Sequence, residues 1–138
     1  MKSTLKIMIV DDDEDDIDFF FDAINGINPT YTCIAAGNGE IALHKLQNNS
    51  VEELPDFIFL DLNMPRMDGK TCLGELKKDH KLKDIPVIIY TTSDNQLDKD
   101  ETLKLGAAHF LTKANTFNML QANIKDTLML VSSKTKKG

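Results

Sequence analysis

Residues 5–16 read Leu5-Lys6-Ile7-Met8-Ile9-Val10-Asp11-Asp12-Asp13-Glu14-Asp15-Asp16, an apolar run that ends abruptly in a run of acids. Ile17, Phe20, Phe21 and Ile24 follow at helical spacing. The segment therefore predicts a strand, an acidic turn and an amphipathic helix. The apolar part is continuous, not alternating, which suits a parallel strand covered on both faces.

The same unit recurs along the chain. Further strand-like runs are Tyr31 to Ala36, Phe57 to Leu60, Val87 to Tyr90 and Ala108 to Thr112. Helical patterns lie between them: Ala42, Leu43 and Leu46; Leu73 and Leu76; and Leu97 to Leu105. A last stripe carries Phe117, Leu120, Ile124 and Leu128. Five βα units imply an α/β fold, a parallel sheet with right-handed crossovers and helices on both faces. The polar stretch Asn48 to Glu53 is the longest expected loop. Residues 1–138 are expected to form one domain, with a core of about 4–131 and a flexible tail at 132–138.

Composition narrows the function. The 138 residues are 41% hydrophobic and 28% charged, with a net charge of −6. That balance argues against a nucleic-acid surface, which needs clustered Lys and Arg. The basic cluster Lys134, Lys136, Lys137 is short. No apolar run approaches a membrane span, and Met1-Lys2-Ser3-Thr4 leads straight into a strand with no signal-peptide pattern. A cytoplasmic protein that binds neither membrane nor nucleic acid is expected. Cys33 and Cys72 are too few for a disulfide framework and lack metal-ligand spacing, and His44, His80 and His109 are scattered.

In a parallel sheet of this kind, ligands bind beyond the carboxyl ends of the strands. The residues following the apolar runs are Asp11-Asp12-Asp13, Asp61-Leu62-Asn63, Thr91-Thr92-Ser93 and Lys113-Ala114. Clustered carboxylates repel and call for shared protons or a cation. Mg²⁺ suits them, taking one or two carboxylates with waters and phosphate oxygens. A lysine and a hydroxyl beside a nucleophilic carboxylate suit an aspartyl-phosphate intermediate. Each residue alone has a plainer reading: Lys113 as a surface lysine, Thr91 as a strand-end threonine. Asp13 to Asp16 are expected to cap and charge the first helix. A calcium loop fails, because Asp16 stands where it needs Gly and Asp22 where it needs Glu.

Four segments carry a family resemblance. Asp61-Leu62-Asn63-Met64-Pro65-Arg66-Met67-Asp68-Gly69 resembles the DxxMPxMDG phosphorylation-site signature of response-regulator receivers. Ile7-Met8-Ile9-Val10-Asp11-Asp12 resembles their first strand with its acidic pair. Pro86 to Thr91 resembles the fourth strand with its switch hydroxyl, and Gly106 to Lys113 the fifth. The resemblance implies a flavodoxin-like sheet of order 2-1-3-4-5 and a single-domain receiver without an output module. It implies that Asp61 accepts a phosphoryl group from a histidine kinase or phosphotransfer protein. Asp12, Asp61 and the Asn63 backbone carbonyl would hold Mg²⁺, with Asp11 acting directly or through water. Thr91 and Lys113 would contact the phosphoryl oxygens. Phe110 would follow Thr91 and reshape a docking face made by the fourth helix, fifth strand and fifth helix.

Two positions depart from the family pattern. Thr92 stands where the residue is usually very small, and is expected to crowd the site. Ala114 stands where proline usually follows the lysine. The Lys113–Ala114 bond is expected to keep the cis form common before that proline, with its strain offset locally. Three other readings compete. A phosphohydrolase with an aspartyl nucleophile would want a second aspartate where Asn63 stands. A flavin-binding protein would want a Ser/Thr/Gly-rich phosphate loop where the acidic run lies. An unphosphorylated pseudo-receiver scaffold would not need every reactive position filled.

Overall fold

The computed structural model describes the backbone of residues 4–135 and side chains through residue 132. The strands are β1 (Lys6–Val10), β2 (Thr32–Ala36), β3 (Phe57–Leu60), β4 (Val87–Thr91) and β5 (His109–Thr112). The helices are α1 (Glu14–Ile27), α2 (Gly39–Asn48), α3 (Gly69–Lys78), α4 (Gln96–Lys104) and α5 (Phe117–Thr135). All strand pairs are parallel and the order is β2-β1-β3-β4-β5, as the resemblance implied.

Alternation along each strand divides the core into two layers. Ile7 and Ile9 of β1, Phe57 and Phe59 of β3, and Ile88 and Tyr90 of β4 face one side. They pack with Phe20 and Ile24 of α1 and with Leu120, Ile124 and Leu128 of α5. Met8, Val10, Ile58, Leu60, Val87 and Ile89 face the other side, against Leu43 and Leu46 of α2 and Leu73 and Leu76 of α3. Because both faces are covered, every position of β3 and β4 is buried. That is why the sequence runs read as continuous apolar stretches.

Side-chain caps set the helix starts. Asp13 precedes α1 and accepts the N–H groups of Asp15 and Asp16, while Asn38, Asp68 and Asn95 do the same for α2, α3 and α4. The loop expected at Asn48 to Glu53 contains a short 3₁₀ turn at Val51–Glu53. α4 differs from the other helices: its one buried residue is Thr102, and Leu97, Leu103 and Leu105 at its face and end are exposed.

α5 runs further than expected. Val131 and Ser132 are buried, so the helix continues through the start of the expected tail to Thr135. Residues 1–3 and 136–138, and the side chains of the Lys134, Lys136, Lys137 cluster, lie outside the described residues. No described helix is long and apolar enough to cross a membrane.

Candidate functional site

The parallel register brings four strand ends level. Val10 lies beside Ala36 and Leu60, Leu60 beside Ile89, and Thr91 beside Thr112. One more ladder bond fixes each following residue. The Asp11 N–H donates to the Ala36 carbonyl and the Asp61 N–H to the Val10 carbonyl, both at 3.0 Å. The Lys113 N–H donates to the Thr91 carbonyl at 2.7 Å. Backbone pairing, not loop chance, thus converges Asp11, Asp61, Thr91 and Lys113 on one edge.

The carboxylates form the acidic half of the site. Asp11, Asp12 and Asp61 each offer an oxygen within 4.8 Å of the others. Asp11 and Asp61 are buried, whereas Asp12 is exposed. Both Asp11 oxygens are engaged: Oδ1 accepts the Asp13 N–H at 3.0 Å and Oδ2 the Lys113 ammonium at 2.7 Å. Burial still pushes the Asp11 carboxyl above its ordinary range, outweighing the bonds from Lys113 and Asp13. The donor set is all oxygen and opens to water through Asp12, which fits a hard divalent cation.

Lys113 forms the basic half. Its side chain is only 10% exposed, and Nζ lies 2.7 Å from Asp11, 2.7 Å from Asp16 and 3.6 Å from Asp61. Burial pulls the ammonium down, but the bonds to Asp11 and Asp16 and the charge of Asp61 outweigh it. The net result is an amine held above the ordinary lysine value. The Tyr90 ring lies beside it, 5.5 Å from Nζ to centroid. Burial pushes the Tyr90 phenol up to about 12.

The Thr91 hydroxyl is fully buried and has no hydrogen-bond partner among the described residues. A buried hydroxyl left unpaired by the protein is costly, so its place at the end of β4 calls for an explanation. Gly69 opens α3 where the chain passes tightly under the site. A methyl group there would collide with the Asp61 carbonyl oxygen and lie 2.6 Å from the Leu62 Cα. Its N–H instead donates to the Leu62 carbonyl at 2.9 Å. Arg66, in the loop between them, takes a left-handed φ of 68°.

The other expected residues fall as follows. The Asn63 N–H lies 3.5 Å from Asp61 Oδ1. Thr92 is exposed beside the site, and Phe110 is half-buried with the Lys99 ammonium 5.8 Å from its ring centroid. The Lys113–Ala114 peptide, expected to be cis, is trans. A non-proline cis bond costs about 2.5–4 kcal/mol, and Lys113 reaches the site without it. Two residues were missed. Asp16 is expected only to charge the first helix, yet its carboxylate binds Lys113; Asp13 is the residue that caps. The sequence marks Tyr90 only as the end of a strand. The usable signal is position: with only three residues between β1 and α1, the first turn of the helix lies beside the strand ends. Cys33 and Cys72 are apolar-packed thiols, both pushed up to about 12 by burial.

The family model for the response regulator receiver domain matches residues 7–125, nearly the whole described fold. The chain belongs to this family. Receiver domains serve two-component signalling, so the convergent edge belongs to a signalling module. The response regulator Rcp1 of Synechocystis is 31% identical to this receiver over 128 residues, covering 91% of this chain and 82% of Rcp1. The sensor histidine kinase CheAY of Helicobacter pylori is 31% identical over 99 residues, but the match spans only 12% of that protein. Among solved structures, the phosphorylated cyanobacterial phytochrome response regulator RcpA superposes with a TM-score of 0.83 at 29% identity, covering 96% of both chains. Rcp1 itself has been solved in a Mn²⁺-bound form, at a TM-score of 0.76 over 86% of this chain and 90% of that one.

Proposed function

We propose that this receiver is a Mg²⁺-dependent phospho-acceptor switch in which Asp61 takes a phosphoryl group from a histidine kinase or phosphotransfer protein. The observation that carries the reading is the pairing of opposites around Asp61. Asp11 and Asp12 lie within 4.8 Å of it on one side. Lys113, at 3.6 Å, and the unpartnered buried hydroxyl of Thr91 supply donors. The relatives support it: RcpA was crystallised phosphorylated and Rcp1 with Mn²⁺.

Asp12, Asp61 and the Asn63 carbonyl would hold the cation. Asp11, whose two oxygens are already engaged, would act through water. Bound Mg²⁺ would neutralise the acids and the incoming phosphoryl oxygens. The Asp61 carboxylate attacks phosphorus, the bond to the donor's leaving group breaks, and the aspartyl phosphate forms. Lys113 then donates to one phosphoryl oxygen, and Thr91 turns its hydroxyl to another. Movement of Thr91 frees space for Phe110, and the surface of α4, β5 and α5 changes for a downstream protein target. Thr92, exposed at the mouth, slows donors and water by crowding.

Incubation with acetyl phosphate and Mg²⁺ tests the reading. One phosphoryl adduct should appear by intact mass, base-labile and located on Asp61. Asp61→Asn should abolish it with the fold intact. A full adduct on that variant would sink the assignment.

A further inference from the structure

Lys113 is claimed by three carboxylates, and only two of them belong to the acid cluster around Asp61. The third, Asp16, comes from the first turn of α1 and binds Nζ at 2.7 Å, as closely as Asp11 does. Asp61, the residue proposed to carry the phosphoryl group, is the most distant at 3.6 Å. An ammonium has three N–H donors. Two are spent on Asp11 and Asp16, and the Tyr90 ring face lies 5.5 Å from the same nitrogen.

The two partners are not equivalent. The Asp11 side chain is wholly buried, so releasing the amine would leave a dry, unpaired charge. The Asp16 side chain is 34% exposed and can be rehydrated when its bond breaks. When the ammonium must turn towards Asp61, Asp16 is therefore the partner that yields.

We propose that Asp16 is a positioning residue that holds the Lys113 ammonium in the unmodified protein and competes for it with the phosphoryl group on Asp61. The proposal rests on the phospho-acceptor reading above and adds a regulator to it. A phosphoryl group brings up to three acceptor oxygens to the side of Asp61. The one donor left over can meet one of those oxygens, but a second contact needs the donor that Asp16 holds. Each moment spent on Asp16 leaves the aspartyl phosphate less well held. Asp16 thereby shortens the lifetime of the signal. Loss of the signal is hydrolysis: water attacks phosphorus, the bond from phosphorus to Asp61 Oδ breaks, and inorganic phosphate leaves with the Asp61 carboxylate restored.

The test follows adduct decay in the full chain after labelling with acetyl phosphate and Mg²⁺ and removal of the donor. Asp16→Asn keeps the size of the side chain and removes its charge, and should slow decay by about three-fold, the bias a partly screened ion pair can exert. Asp18→Asn makes the same charge change at an exposed position of α1 and should decay as the parent does. Asp16→Glu keeps the competing charge and should restore fast decay, which a merely structural role for the aspartate would not produce. Decay of Asp16→Asn at the parent rate overturns the proposal. So does an equal slowing in Asp18→Asn, or in Asp16→Glu. A parent protein that takes no adduct overturns the phospho-acceptor reading and this proposal together. Normal labelling with unchanged Asp16→Asn decay overturns the proposal alone.

Discussion

Lys113 and Lys70 are built alike and differ in where they sit. Each ammonium bridges two carboxylates: Lys113 joins Asp11 and Asp16, and Lys70 of α3 joins Asp98 and Glu101 of α4. The Lys113 side chain is 10% exposed and one of its partners is fully buried. The Lys70 side chain is 34% exposed, and Glu101 is 47% exposed. The same pair of contacts therefore means different things. In the dry cluster the buried Lys113 and Asp11 charges depend on each other, because their desolvation cannot be undone locally. In the wet one, water replaces whatever is lost. The proposed phospho-acceptor chemistry lies in the first, where a charge that arrives has large consequences.

The largest break in this comparison is Lys113→Met. It leaves the buried Asp11 carboxylate without its counter-charge and should lower metal-free stability at neutral pH by about 2–3 kcal/mol, read by denaturant unfolding. The loss stays below the usual 3–5 kcal/mol because burial already raises Asp11, which can take up a proton. Because the Lys113 ammonium is raised in the fold, its contribution is complete below the unfolded value near 10.5. It should fade only as pH rises through the raised value. An equal loss in Lys113→Met and Lys70→Met would show that burial does not separate the two clusters.

A middle-sized effect concerns the acids themselves. Mg²⁺ at about ten times its dissociation constant should stabilise the parent by about 1.4 kcal/mol through mass action. Asp12→Ala should remove most of that response while leaving metal-free stability little changed, since Asp12 is exposed. The Asp11 carboxyl, raised by burial, favours the folded state most below the unfolded value near 3.9, and that term is lost as pH rises through the raised one. Thermal melts across this range, with and without Mg²⁺, check both signs. A parent melting temperature indifferent to millimolar Mg²⁺ would remove the acid cluster as a cation site.

The sequence made the dry cluster legible and the wet one not, for physical reasons. Strand ends are visible as apolar runs that stop, and a parallel sheet brings them level, so Asp11, Asp61, Thr91 and Lys113 could be placed together unaided. Charge alone pointed to a cation and to phosphoryl chemistry there, and the family motif supplied the roles that the proposal adopts. Asp16 escaped because it lies on a helix, where an acid in the first turn already has a sufficient explanation in the dipole. Tyr90 escaped because its side chain alternates away from that of Thr91 and its contact with Lys113 depends on the path of β5. The Lys70 bridge links α3 to α4, and no sequence pattern sets the distance between two neighbouring helices. α4 shows the same limit: its leucines predicted a helix but not that Leu97 and Leu103 would face out.

Lys70→Met should have the smallest effect, and its form matters more than its size. Lys70 bonds Asp98 at 2.8 Å, Asp98 accepts the Ser93 hydroxyl at 2.7 Å, and Thr112 Oγ1 donates to the Ser93 carbonyl at 3.1 Å. The wet cluster therefore ties α3 to the loop after β4 and on to β5, yet each link lies near water. The melting temperature should fall by no more than about 2 °C at low salt. Added salt should shrink the difference, since exposed charges are screened over roughly a Debye length. The Lys70 ammonium, followed by the Ser93 hydroxyl, holds the Asp98 carboxyl below its ordinary range. A lowered carboxyl contributes stability above the unfolded value near 3.9 and loses it as pH falls through the lowered one. The gap between parent and Lys70→Met should thus be constant around neutrality and close as pH falls below about 4. Melts at three salt concentrations and four pH values decide it. A gap that persists in high salt and in acid would mean that Lys70 acts through the packing of its methylene stem, and that the two clusters differ in kind as well as in exposure.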